Sequence, residues 1–125
     1  MSNETERVYA GLILSELPGH QSRKNVTIVD NQVLKMGDVV GKITASGKYA
    51  IYANGASDGT QAAAGVLIGE NVDATDGDKA GVILFQGAEV NKDLLGWGAN
   101  DATGIANGVT DLEALAPPIL VRDGV

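Results

Sequence analysis

The carboxylates Asp73, Asp76 and Asp78 are the first side chains in this chain whose spacing could do chemistry. Clustered carboxylate oxygens are what a hard cation such as calcium takes. The stretch lacks the helix-flanked calcium loop of about twelve residues and its closing bidentate Glu, so it reads as a solvated turn. His20 is the only histidine, and there is no cysteine. One His without thiolates builds no ordinary zinc site. Ser15 and Ser22 lie near it in sequence, but a Ser-His-Asp triad needs a nucleophile on a rigid turn. The polar run His20-Gln21-Ser22-Arg23-Lys24-Asn25 offers none. Glycine-rich stretches invite phosphate binding, yet neither GxxxxGK[ST] nor GxGxxG after a strand is present. Gly41-Lys42 and Gly47-Lys48 therefore read as turn residues. The expectation is a protein without catalytic residues, metal ligands or a cofactor.

Two lysines suggest a different chemistry. Val33-Leu34-Lys35-Met36 resembles the modified-lysine site of biotin-carrier domains. Asp76-Gly77-Asp78-Lys79-Ala80 resembles the lysine hairpin of lipoyl domains, and Gly37-Asp38-Val39-Val40 is similar to the turn those folds share. The order does not fit, because Lys79 lies far downstream of Gly37-Asp38 and Lys35 directly abuts it. A biotinyl- or lipoyl-like carrier domain with a modified lysine is the alternative function. Trp97, the sole tryptophan, reads as a core plug or as a subunit contact, since Trp is over-represented at binding hot spots.

These residues sit in a chain of 125 residues, enough for one domain with its own core. Aromatic residues make up only 4% and there are seventeen glycines, spread along the chain. A core without bulky rings must close by near backbone contact and small side chains. Scattered glycines favour short strands and tight turns. The net charge is −7, and no basic face is visible, which argues against nucleic acid. Up to residue 25, Glu4, Glu6 and Glu16 balance Arg7, Arg23 and Lys24, so the acid excess belongs to the body. The longest apolar run falls far short of the roughly 20 residues of a membrane span. MSNETER carries acids where a signal peptide carries a basic region, so the protein is expected to stay where it is made.

The elements follow from the pattern. Residues 1–25 read as an N-terminal arm and linker, and residues 26–125 as a β-rich domain. Within the arm, Arg7, Val8, Tyr9, Leu12, Ile13 and Leu14 are apolar enough as a run to want a partner. They form either an ordinary first strand or a strand that pairs with another chain by β-augmentation. Seven or so short strands are expected, among them Val26–Val29, Val39–Thr44, Lys48–Ala53, Ala63–Ile68, Ala80–Phe85 and Ile119–Arg122. Asn54-Gly55 and Asp58-Gly59 are expected to supply the positive backbone angles of the loop between Lys48–Ala53 and Ala63–Ile68. One or two short helices are expected late in the chain. A weak turn would start at Asn100-Asp101. A better one would be capped by Thr110, with Glu113 at capping-box spacing, and stopped by Pro117-Pro118.

Gly41-Lys42-Ile43-Thr44, Gly47-Lys48-Tyr49, Asp58-Gly59-Thr60 and Ala64-Gly65-Val66-Leu67 follow one another in order. With the later Gly87-Ala88-Glu89-Val90, Leu94 and Trp97, this order and spacing resembles the head decoration proteins of tailed bacteriophages, the lambda decoration protein D family. The resemblance implies a compact, mainly-β domain of β-clip type with one or two short helices and an extended N-terminal arm. It further implies a homotrimer on the outer surface of the expanded head, made in the host cytoplasm and cementing the capsid against internal DNA pressure. The implied partner is the major capsid protein, reached through the arm, with no nucleic acid and no membrane involved.

Overall fold

The structure, a computed structural model, describes residues 12–16 and 22–122. Ten strands follow in order: β1 (Ile13–Glu16), β2 (Arg23–Ile28), β3 (Val33–Leu34), β4 (Val39–Lys42), β5 (Tyr49–Ile51), β6 (Ala63–Ile68), β7 (Val72–Asp73), β8 (Lys79–Leu84), β9 (Ala88–Asn91) and β10 (Ile119–Arg122). Among the described residues a 3-10 turn, Lys92–Leu94, and the helix α1 (Ala102–Glu113) lie between β9 and β10. The chain is mainly β with short strands, as its glycine and β-branched pattern leads one to expect.

Five strands close a barrel in the order β2-β5-β4-β6-β8. Its longest seam is antiparallel, from Arg23 opposite Leu84 to Ile28 opposite Lys79. Closure between β2 and β5 is brief and parallel, at Ile28 and Tyr49, and the Val29 N–H donates to the Tyr49 carbonyl at 3.0 Å. A β3-β7 ribbon covers one side of the barrel, and a three-stranded sheet, β1-β9-β10, stands beside the other.

Successive residues of a strand point to opposite faces, and here both faces are buried. Val40, Leu67 and Ile83 point into one cluster with Ile28, Tyr49, Leu34 and Val72. Their immediate neighbours Val39, Val66 and Leu84 point into a second, with Leu12, Tyr52, Val90, Leu112 and Ile119. Unbroken apolar runs such as Val66-Leu67-Ile68 are what two-sided burial requires. The strands therefore form a shared wall between two cores.

Two cores with few rings leave little space between backbones. A Cβ on Gly41 would stand 2.6 Å from the Thr60 Cα and 2.9 Å from two backbone carbonyls, those of Thr60 and Ala62. Gly65 lies equally tight against the Leu84 carbonyl. Gly59 adopts φ 115°, which only glycine takes readily, and its amide faces the Gln61 side chain at 2.8 Å. Gly55 does not share that backbone region, so only the second of the two expected loop glycines needs a positive angle.

Two local expectations change. Thr110 does not start a helix. α1 runs unbroken from Ala102, capped by Asp101, whose carboxylate accepts the Gly104 N–H at 2.8 Å. Thr110 lies inside it and its hydroxyl donates to the Ala106 carbonyl at 3.1 Å. The polar stretch expected as linker becomes strand from Arg23 onward. Lys24 shares the face of Val26 and Ile28, where its ammonium sits 4.8 Å from the Phe85 ring centre and 5.5 Å from that of Tyr49, while Arg23, Asn25 and Thr27 take the opposite face.

Gly41→Ala is expected to cost about 1–3 kcal/mol, because the intruding methyl meets main chain that cannot rotate away. Gly55→Ala, with nothing within 4 Å of its Cβ, is expected to stay within about 0.5 kcal/mol of the parent. Urea unfolding midpoints of the two variants check the contrast.

Candidate functional site

The chain enters the described structure at Leu12, whose side chain is 1% exposed. It packs in the second core with Val90, Leu112 and Ile119. β1 then runs antiparallel to β9, with Ile13 opposite Val90 and Glu16 opposite Ala88, across a register shift. The Asn91 N–H donates to the Leu12 carbonyl at 2.8 Å. Of the six expected arm residues, Arg7, Val8 and Tyr9 lie outside the described residues, as does His20. Leu12 is core, Ile13 is half-buried against that core, and Leu14 lies within β1. Residues 13–16 thus form a strand of the domain's own sheet.

Among the described residues β1 and β10 are the outer strands of that sheet. An outer strand offers unpaired amides to another chain. On β10 one such amide, Val121 N–H, donates instead to the Glu113 carboxylate at 3.4 Å. Arg122 and Glu89 pair across the same sheet at 3.5 Å.

α1 is fixed on one face by small residues and buried polar contacts. Gly104, Gly108 and Leu112 are its buried positions. A Cβ on Gly108 would lie 2.5 Å from Trp97 Cζ3 and 2.9 Å from Tyr52 Cε2, so the glycine is what lets the helix approach these rings. The Tyr52 hydroxyl donates to the Gly104 carbonyl at 2.7 Å, and burial pushes that hydroxyl's pKa up. The Asn100 side chain donates to the Tyr52 carbonyl and accepts the Asn54 N–H, each at 2.7 Å. The Asp111 carboxylate accepts the Ala63 N–H at 3.0 Å, tying the helix to β6. Trp97 meets Tyr52 edge to face, with centroids 6.1 Å apart, and is half-buried. The other side of α1 is different. Ala102, Ile105, Ala106 and Val109, at the i, i+3, i+4, i+7 spacing of one helical stripe, line an open groove of about 500 Å³ with Lys92 at its rim. Sequence reading missed this stripe because it expected two helical turns instead of one helix.

The remaining candidates for chemistry are occupied by structural work. Asp73 accepts the Thr75 hydroxyl and N–H, and these bonds lower its carboxyl. Asp78 pairs with Lys48 at 2.5 Å and accepts the Asp30 N–H at 2.9 Å; the Lys48 bond lowers it. Asp58 holds the Thr60 hydroxyl at 2.6 Å and N–H at 3.0 Å, and is lowered by them. Among the described residues no three acids or histidines are grouped to hold a metal ion, and no helix is long and apolar enough to cross a membrane. Lys79 is the exposed first residue of β8, opposite Ile28. The Lys35 N–H donates to Asp38 at 2.9 Å within a tight turn, where burial raises the Asp38 pKa.

A family model described as Bacteriophage lambda head decoration protein D matches residues 2–117 of the 125-residue chain. The match takes in β1, the whole barrel and α1, and ends just before β10. No curated protein matches the chain at a significant level.

The three lowered carboxyls each contribute to the acid behaviour. Between their lowered folded values and the ordinary aspartate value of 3.8, the unfolded chain binds more protons, so stability falls as pH drops through that window. Asp38 works the other way: its burial cost is relieved as pH falls through its raised value. Asp58→Asn and Asp73→Asn are each expected to flatten the fall of the thermal midpoint below pH 3.8. A series of melting curves from neutral to acid pH checks this, and an unchanged slope in both variants contradicts it.

Proposed function

The chain belongs to the bacteriophage lambda head decoration protein D family, whose members are structural proteins of the capsid, and we propose that it cements a phage head. In this reading it binds the outer surface of the expanded shell as a homotrimer and clamps neighbouring major capsid protein subunits against the pressure of packaged DNA. The observation that carries the proposal is the family match over residues 2–117. The way the chain enters the fold supports it. Leu12 and β1 anchor the start of the domain in its own core, so Arg7, Val8 and Tyr9 stand just upstream of a rigid base. They are the residues proposed to reach the capsid, by adding a strand to the shell protein.

A cementing protein needs stiffness and attachment, not a reactive group. Three arms on one trimer would convert weak strand pairings into firm binding, because after the first arm engages the others act at high effective concentration. The exposed part of Trp97 is the proposed subunit contact, its other edge being used by Tyr52 and α1. The carrier-domain alternative is not retained, since the family is a capsid one.

Deleting residues 2–9 leaves Leu12 and β1 in place. The truncated protein is expected to melt within a few degrees of the parent and to lose binding to expanded heads in a sedimentation assay. Binding equal to that of the full chain would refute the arm's role. Leu12→Ala is expected to do the reverse, costing about 2–5 kcal/mol of stability.

A further inference from the structure

We propose that Asn54 is a spontaneous modification site, where the folded chain's own main-chain nitrogen converts the side-chain amide to aspartate and isoaspartate. The chain holds two Asn-Gly pairs, Asn54-Gly55 and Asn107-Gly108. A glycine leaves its main-chain nitrogen unhindered by a side chain. Both pairs therefore carry the same chemistry, and the fold decides between them.

At Asn54 the fold permits the reaction. The Ala56 N–H donates to the Ala53 carbonyl at 3.0 Å, closing a turn with Asn54 and Gly55 at its centre. Gly55 is exposed and Asn54 is half-buried. Among the described residues the Gly55 N–H donates to no acceptor and Asn54 Nδ2 has no partner. Neither the attacking nitrogen nor the leaving group is tied. The Asn54 side-chain oxygen accepts from Asn107 Nδ2 at 3.1 Å, a bond that polarises the carbonyl carbon. The Tyr52 hydroxyl lies 3.4 Å from the same oxygen but gives its proton to the Gly104 carbonyl at 2.7 Å. At Asn107 the fold forbids the reaction. That residue lies inside α1, where the following nitrogen is committed to the helical ladder, and Gly108 is buried against Trp97 and Tyr52.

The step balances without an oxidant or reductant. Gly55 N gives its proton to base and attacks Asn54 Cγ. The Cγ–Nδ2 bond breaks, Nδ2 leaves as ammonia, and a cyclic imide closes. Solvent water then opens the ring, giving aspartate by attack at the side-chain carbonyl or isoaspartate by attack at the main-chain carbonyl. Isoaspartate lengthens the main chain by a methylene inside the turn that Asn100 holds through the Asn54 N–H. The modification thus acts on the contact between this loop and α1.

The test incubates the full-length protein in mildly alkaline buffer, folded and in urea. Peptides are then mapped by mass spectrometry for a gain of about 1 Da, and isoaspartate is counted with a specific methyltransferase. In the folded protein Asn54 is expected to react about ten-fold or more faster than Asn107, whose attacking atoms are held out of line. In urea the two rates are expected to converge. Gly55→Ala, which has space for its methyl, is expected to stay folded and to slow the reaction at Asn54 about ten-fold, since the methyl crowds the approach of the nitrogen. Equal rates at the two asparagines in the folded protein, or an Asn54 that stays unmodified there, overturn the proposal. So does an unchanged rate in Gly55→Ala, or an Asn107 that remains inert in urea, which would remove the fold as the cause.

Discussion

The fold depends on main chain approaching main chain where a side chain would not fit. Gly41 against Thr60 and Gly65 against Leu84 bring β4, β6 and their neighbours closer than any Cβ allows. With aromatic residues at only 4%, the barrel has few large groups with which to fill space. Close packing must then come from short distances between strands, since interiors tolerate few voids. The same device recurs at α1, where Gly108 admits the faces of Trp97 and Tyr52. Glycine costs helix stability in isolation, and here the tertiary contact offsets that cost.

This constraint divides the molecule into an interior that is difficult to alter and a periphery that is free to bind. β4, β6 and β8 serve two cores at once, so a change on either face of the wall is felt by one of them. Elements outside the barrel carry the root of the arm at β1, the outer strand β10 and the apolar stripe of α1 beside Lys92. All three gather around the sheet β1-β9-β10 and the helix that packs on β10. In the proposed function, attachment and rigidity fall to different parts of one small chain. The acidic residues hold loops in place through local hydrogen bonds, as at Asp58, Asp73 and Asp78.

Much of the barrel was legible in the sequence because β-branched runs and glycine turns report strands directly. Val39-Val40, Val66-Leu67-Ile68 and Ile83-Leu84 carried the further message that both faces are buried. Other parts were hidden for physical reasons. α1 reads in the sequence as two turns because Gly104 and Gly108 lower helix propensity, and only the nearby rings explain their presence. The start of β2 looked like a linker because Arg23, Lys24 and Asn25 are polar, while the aromatic platform for Lys24 comes from residues distant in sequence. Leu12 resembled the rest of an apolar arm, and its burial depends on Val90, Leu112 and Ile119, all far along the chain. The groove on α1 could be recognised only once the helix was seen as one piece.

The central claim is that a rigid two-core domain is attached to a phage shell through the segment that precedes β1. A cryo-EM map of expanded heads saturated with this protein tests it most directly. The account predicts three copies around each threefold position, with density continuing from Leu12 along a strand of the shell protein. Single copies placed elsewhere, or trimers whose β1 faces away from the shell, would contradict it.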